Sequence, residues 1–291
     1  MRTSPKTVEE FCGHELARKV PGELAAMAEV LRARHSGTVA ILAYGSCLRG
    51  VDAADTLIDF YVLTENLGGV SGNFLSRLGC AAAPPNVYYA EARALEKSLR
   101  AKYAVLPISL FAIKMKPETG NPYFWARFSQ PSALVYARDQ SARNETVAAI
   151  AQALRTCFAN AKSLTSARNP LARWTAIFTE TYKTEFRSER TDRATHIVST
   201  YPGYYKQAAN LLASEPPIHK NQTLRRFTGK LWSVLRLIKA AFTFQGGADY
   251  IVWKIERHSG EKIVLTDWQK HHPIIASLML LPTLLRKGAV R

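Results

Sequence analysis

A chain of 291 residues, 47% hydrophobic and 10% aromatic, can bury a substantial core and has no long polar tract that would leave it disordered. Lys and Arg number 39 against 23 Asp and Glu, a formal charge of +16, so its partner is a polyanion: nucleic acid, anionic lipid headgroups or nucleotide phosphates. Cys12, Cys47, Cys80 and Cys157 form no CxxC pair and have no histidine at ligand spacing, which points away from a zinc site or a disulfide scaffold and suits a reducing compartment.

Met1 to Gly13 holds Glu9 and Glu10 beside its basic residues and has no apolar core, the pattern of neither a signal peptide nor a transit peptide. Leu24, Met27, Val30 and Leu31 recur at helical spacing within Val20 to Arg34, and Ser36-Gly37 ends that helix. Thr38 to Tyr44 is then a buried strand. After Gly45-Ser46 and a polar loop to Thr56, a second apolar run extends from Leu57 to Leu63, interrupted by one carboxylate, Asp59. Strand-like runs follow at Asn86 to Tyr89 and Val105 to Ile113, with Glu91 to Lys102 between them reading as helix. These elements predict an α+β domain over residues 1–139.

From Asn144 onward the pattern turns helical, with Val147, Ile150, Ala151, Leu154 and Phe158 on one face, and a second helix is expected from about Thr223 to Phe242. On that second helix Arg226, Lys230, Arg236 and Lys239 suggest either a basic stripe for phosphates or a solvated face, and Tyr201, Tyr204 and Tyr205 near Lys206 suit either base stacking or ordinary helix packing. Ile251 to Trp268 mixes helix-like and β-branched residues, consistent with a small winged element. Residues 140–270 are therefore expected to form a mainly helical, winged-helix type domain. Residues 271–291 are apolar and end in Arg286, Lys287 and Arg291; too short to span a bilayer, they are suited to lie at its surface.

The informative stretch is Ala43-Tyr44-Gly45-Ser46-Cys47-Leu48-Arg49-Gly50, followed by Ile58-Asp59-Phe60-Tyr61-Val62-Leu63. A glycine and serine at a strand-to-helix turn bring backbone N–H groups and a hydroxyl against a triphosphate. A carboxylate on the adjoining strand can hold the magnesium that bridges the phosphates. A Gly-Ser turn alone is usually structural. The ordered set of strand, Gly-Ser, Arg-Gly, loop and strand-borne Asp favours the functional reading.

This arrangement resembles the nucleotidyltransferase superfamily of DNA polymerase beta. Tyr44-Gly45-Ser46, Ile58-Asp59-Phe60 and the acidic Glu65 are similar, within it, to the mitochondrial-type (translocator assembly and maintenance) phosphatidate cytidylyltransferases. Short blocks at Asn86–Tyr89, Lys102–Val105, Ala126–Pro131 and Tyr182–Arg187 extend the likeness as far as Val198. The chain departs from the superfamily's Asp-x-Asp, since Leu57 and Tyr61 flank Asp59 at that spacing, and Cys47 replaces the family's usual glycine. The resemblance implies a nucleotidyltransferase-type mixed sheet and the reaction of CTP with phosphatidate, giving CDP-diacylglycerol and pyrophosphate with Mg2+.

Under that resemblance Tyr44, Gly45, Ser46 and Arg49 bind the nucleotide, and Asp59, Ser46 and Lys102 are catalytic. Arg127, Lys183 and Arg187 bind phosphates, and Asp59 holds the metal with Asp55 or Glu65 as second acid. The expected partners are CTP, phosphatidate and an anionic membrane surface rather than nucleic acid. The expected place is the cytoplasm, peripheral on the inner face of the membrane, or the matrix side in a mitochondrion. Two alternatives remain: a nucleotidyltransferase acting on RNA, and an inactive nucleotidyltransferase fold serving as a binding protein.

Overall fold

The apolar runs on either side of the Gly-Ser turn form β1 (Thr38–Tyr44) and β2 (Ile58–Thr64), paired antiparallel. In the computed structural model, which describes residues 4–49, 56–70, 74–119, 121–184, 192–218, 228, 229, 231, 232, 235, 236, 239 and 266, they lie at the centre of a five-stranded mixed sheet. Its remaining strands are β3 (Asn86–Ala94), β4 (Lys97–Pro107) and β5 (Ser132–Ala137), in the order β3-β4-β2-β1-β5. β2 runs parallel to β4; the other neighbours are antiparallel. Val39 to Ala43 and Phe60 to Leu63 are all buried, as strands covered on both faces must be.

The helices are α1 (Val8–Leu16), α2 (Gly22–Arg34), α3 (Phe74–Ala82), α4 (Ile108–Met115), α5 (Trp125–Phe128), α6 (Gln140–Leu164), α7 (Pro170–Thr184), α8 (Asp192–Thr200) and α9 (Pro202–Leu211). One sheet face packs on α2, whose exit residue His35 meets the rings of Tyr88 and Tyr103. On the other face Tyr61 meets Phe111 of α4, Phe124, and Phe128 of α5. The long helix α6 lies behind α4 and α5; its Thr156 hydroxyl donates to the Met115 carbonyl at 2.7 Å. Asp139 caps α6, accepting from the Ala142 amide at 2.8 Å. The buried apolar residues form one cluster from Val8 to Leu212, so the core continues across position 139. Among the described residues no helix is long and apolar enough to cross a membrane.

The structure corrects three expectations. Glu91 to Lys102 is a β-hairpin, not a helix: β3 turns into β4 at Leu95 and Glu96, both at positive φ (50° and 60°), the backbone of a primed two-residue turn. Leu99, Ala101, Tyr103 and Val105 are buried alternately against α2, and that period-two burial overrides good helix formers. Val105 to Ile113 is accordingly the end of β4 and the start of α4. Tyr204 and Tyr205 do not form a stacking surface, since their rings pack on Phe11, Trp174 and Phe178. Positions 228, 229, 231, 232, 235, 236 and 239 are helical; the other residues of that expected helix, the winged element (apart from Thr266) and residues 271–291 lie outside the described residues.

His35 is 2% exposed. Its Nδ1 lies 3.1 Å from the Gly69 carbonyl and its Nε2 3.4 Å from the Tyr103 hydroxyl, a pairing met by a neutral ring that donates to the first and accepts from the second. Burial holds its pKa below the ordinary histidine value. The unfolded chain therefore takes up a proton that the folded chain refuses, and stability falls as pH drops below about 6.5. Urea denaturation at pH 7.5 and pH 5 is expected to show a larger acid loss in the wild type than in His35→Gln; equal losses would refute this assignment.

Candidate functional site

The site forms where β1 ends. Tyr44 pairs with Asp59 on β2, and Asp59 pairs with Lys102 on β4, so the three occupy one rung across the sheet. Gly45 then turns the chain with φ +87°, entering a short 3₁₀ turn, Gly45–Arg49. A Cβ at Gly45 would lie 3.4 Å from Asp59 Oδ2, so glycine permits both the left-handed turn and the approach of backbone to carboxylate. The Ser46 hydroxyl is 3.3 Å from that of Thr56, joining the turn to the approach of β2. The Cys47 thiol donates to the Tyr44 carbonyl at 3.2 Å. Burial, with Asp59 adding, pushes the Cys47 pKa up to about 11, so this residue is a neutral packing group and no nucleophile.

A cleft of about 630 Å³ opens over this rung. Tyr44, Asp59, Tyr61, Lys102 and Ala104 line it from the sheet, and Gly45, Ser46 and Arg49 from the turn. Its far wall is helical: Tyr123 and Arg127 around α5, Thr181 and Tyr182 of α7, Arg193 and Ile197 of α8. The sheet and the helices thus share one site.

Arg127 is held by aromatic rings. Its Nη1 donates to the Tyr44 hydroxyl at 3.0 Å, and its guanidinium lies 5.2 Å from the Tyr44 ring centre and 5.1 Å from that of Tyr123. The Arg236 guanidinium lies 3.9 Å from the same Tyr123 ring centre. These are cation–π distances. The Tyr61 hydroxyl donates to that of Tyr123 at 3.5 Å. Burial raises the pKa of both Tyr44 and Tyr61, with Asp59 adding to the rise at Tyr44, so both phenols remain protonated. Arg49, Lys102, Arg127 and Arg193 face a single carboxylate, Asp59, among the described residues lining the cleft. The arrangement is a cation-rich cleft with one acid at its floor, chemically suited to an anion.

Of the residues expected from the sequence, Tyr44, Gly45, Ser46, Arg49, Asp59, Lys102 and Arg127 come together here. Glu65 does not. It follows the opposite end of β2, about 20 Å along the strand from Asp59, where its amide donates to the Gly37 carbonyl at 2.8 Å and its carboxylate meets Arg138 at 3.5 Å. Equal parity put the two acids on one face, but they cannot share an ion. Lys183 is exposed on α7 and absent from the cleft lining, while its neighbours Thr181 and Tyr182 are part of it. Asp55 and Arg187 lie outside the described residues. Tyr123 and Arg193 carry no signal in the sequence, because they come from distant parts of the chain with no shared spacing, while Arg236, read as part of the basic stripe, stacks on Tyr123.

Lys239 also departs from expectation. Instead of belonging to an open basic stripe, its ammonium donates to the Ala83 and Pro85 carbonyls at 2.5 and 2.6 Å and to Asn86 Oδ1 at 3.0 Å. Burial lowers its pKa to about 8.

Among the described residues no group of three or more His, Cys, Asp or Glu stands together to hold a metal; Asp59 is the one candidate ligand in the cleft. No protein-family model matches the chain, and no curated protein sequence matches it.

If the Gly45 turn carries the site, its conformation should be costly to alter. Gly45→Ala is expected to destabilise the fold by about 1–2 kcal/mol, the penalty of a left-handed side-chain-bearing residue. Ser46→Ala, which loses only a long hydroxyl contact, is expected to stay within about 0.5 kcal/mol of the wild type. Urea denaturation of the two variants checks the contrast.

Proposed function

We propose that the chain is a magnesium-dependent nucleotidyltransferase whose acceptor is itself a phosphate: it transfers the cytidylyl group of CTP to phosphatidate, at an anionic membrane surface. The observation that carries this reading is the composition of the cleft, in which Asp59 is set beside the Gly45-Ser46 turn and faced by Arg49, Lys102, Arg127 and Arg193. Such a surplus of cations suits two phosphate-bearing substrates meeting in one space. A single acid suits a nucleophile that needs no deprotonation. A sugar hydroxyl must lose its proton, with metal and base sharing that task, whereas a phosphate monoester is already anionic.

In this reaction an oxygen of the phosphatidate phosphate attacks the α-phosphorus of CTP. The new P–O bond forms as the bond to the β-phosphate breaks, and pyrophosphate leaves with its electron pair. Gly45, Ser46 and Arg49 hold the triphosphate, Lys102 neutralises charge beside Asp59, and Arg127 and Arg193 orient the acceptor phosphate from the helical wall. The donor set fits a magnesium ion that takes one carboxylate from Asp59 and its remaining ligands from phosphate and water. Such an ion, held by Asp59, would supply neutralisation of phosphate charge beside the Gly45-Ser46 turn. The two-strand unit with the Gly-Ser turn and Asp59 on β2 supports a nucleotidyltransferase-type fold. CTP and phosphatidate are chosen through the resemblance of Tyr44-Gly45-Ser46 and Ile58-Asp59-Phe60 to the phosphatidate cytidylyltransferases. The packing of Tyr204 and Tyr205 into the core takes support from an RNA substrate.

The test is pyrophosphate release from each of the four nucleoside triphosphates with magnesium and phosphatidate vesicles. Release is expected from CTP only, dependent on phosphatidate, and reduced by about 100-fold or more in Asp59→Asn. Arg193→Ala is expected to lower it, and Lys183→Ala to leave it unchanged. Lipid-independent release, or none with any nucleotide, would overturn the reading.

A further inference from the structure

Single exposed apolar side chains are ordinary on a protein surface, but a group of them on joined elements marks a contact surface. On α3, Phe74, Leu75 and Leu78 are 74%, 70% and 54% exposed, while Ser76 and Cys80 face inward. At the helical positions further along the chain, Leu231, Trp232 and Leu235 are 48%, 36% and 41% exposed. The two sets flank one joint. A Cβ at Gly79 would lie 3.3 Å from Lys239 Cδ, and the Lys239 ammonium is fixed on Ala83, Pro85 and Asn86 just beyond α3. Leu78 adjoins Gly79 in the chain, and Leu235 stands one turn from Lys239.

Charge identifies what this surface meets. No Asp or Glu occurs between Glu65 and Glu91, or between Glu215 and Asp249. The same stretches contain Arg77, Lys220, Arg225, Arg226 and Lys230. An apolar face in acid-free sequence, with Arg77 exposed on α3, matches an anionic bilayer, where acyl chains take the leucines and headgroup phosphates the arginine. Phe74 and Trp232 are residue types found on the apolar face of interfacial helices. The joint also reaches the cleft, because Arg236, next to Leu235, lies over the Tyr123 ring.

We propose that α3 and the helical positions 231, 232 and 235 form a docking face for an anionic lipid bilayer, which sets the cleft at the membrane surface. In combination with the phosphatidate reading, on which this last step rests, the acceptor's phosphate enters the cleft while its acyl chains remain in the bilayer.

The experiment compares full-length wild type with Leu75→Ser/Leu78→Ser, a pair of exposed positions outside the cleft whose folding is checked by circular dichroism. Co-sedimentation with vesicles of phosphatidylcholine, with and without phosphatidylglycerol, reads docking. Pyrophosphate release with phosphatidate in detergent micelles reads the cleft. Wild type is expected to bind the phosphatidylglycerol vesicles preferentially, with partitioning at least about tenfold weaker in the double variant and micellar activity unchanged. Undiminished binding by the variant would overturn the proposal and assign docking elsewhere, such as residues 271–291. So would a wild type that ignores phosphatidylglycerol, or one that forms a dimer through this face and binds no vesicle. Weakened vesicle binding in a protein that releases pyrophosphate from no nucleotide would uphold the docking face and remove the transferase reading alone.

Discussion

The register of β2 is the constraint on which the site depends. Side chains of a strand alternate between faces, so a slip of one residue would turn Asp59 towards α2 and send Phe60 into the cleft. Burial prevents the slip. Phe60 and Val62 are fully buried on the α2 side, and Tyr61 on the other lies among Phe111, Phe124 and Phe128. With the register fixed, the antiparallel partner delivers Tyr44 and the parallel partner delivers Lys102 to the same rung. Parallel pairing needs a crossover, and the chain makes it through α3 and β3, leaving α3 outside the sheet with its leucines exposed.

Bringing Arg49, Lys102, Arg127 and Arg193 around one cleft costs repulsion, and the structure limits that cost with rings. Arg127 lies over Tyr44 and Tyr123, and Arg236 over Tyr123. A guanidinium is weakly hydrated and stacks on aromatic faces, so it tolerates such a place better than an ammonium would. The phenols cannot neutralise the cations, because burial keeps Tyr44 and Tyr61 protonated. The charge surplus is therefore not cancelled within the cleft, and any polyanion that bound there would stabilise the fold.

The part of the fold legible in the sequence was the part where composition and burial agree. Gly45-Ser46 interrupts an apolar run, and one carboxylate interrupts the next, so β1, the turn, β2 and Asp59 could all be read. Glu91 to Lys102 misled because its residues favour helix, while the deciding signal was the alternation of Leu99, Ala101, Tyr103 and Val105. Glu65 misled differently: parity along a strand gives the face but not the distance. Lys239 was read as a surface cation because sequence does not disclose that backbone carbonyls will converge on it. Tyr123 and Arg193 were invisible for a related reason. They reach the cleft from the turn before α5 and from α8, whose placement is decided by packing and not by any local pattern.

That packing makes the helical half part of the site. Thr181 and Tyr182 follow Ile177 and Phe178 on α7, which are buried, and Arg193 precedes buried Ala194, Ile197 and Val198 on α8. Trp174, one turn ahead of Phe178, is locked between Phe158 of α6 and Tyr205 of α9, and its indole N–H donates to the Tyr205 carbonyl at 3.0 Å. The wall facing Asp59 is thus positioned by the core behind it, to which Thr181 is tied by its hydroxyl bond to the Phe178 carbonyl. Because this core is continuous with the one beneath the sheet, the Gly45 turn and the cationic wall are held by one body of packed side chains. Changes in that packing would be transmitted to the distance between Arg193 and Asp59 without any change in either residue.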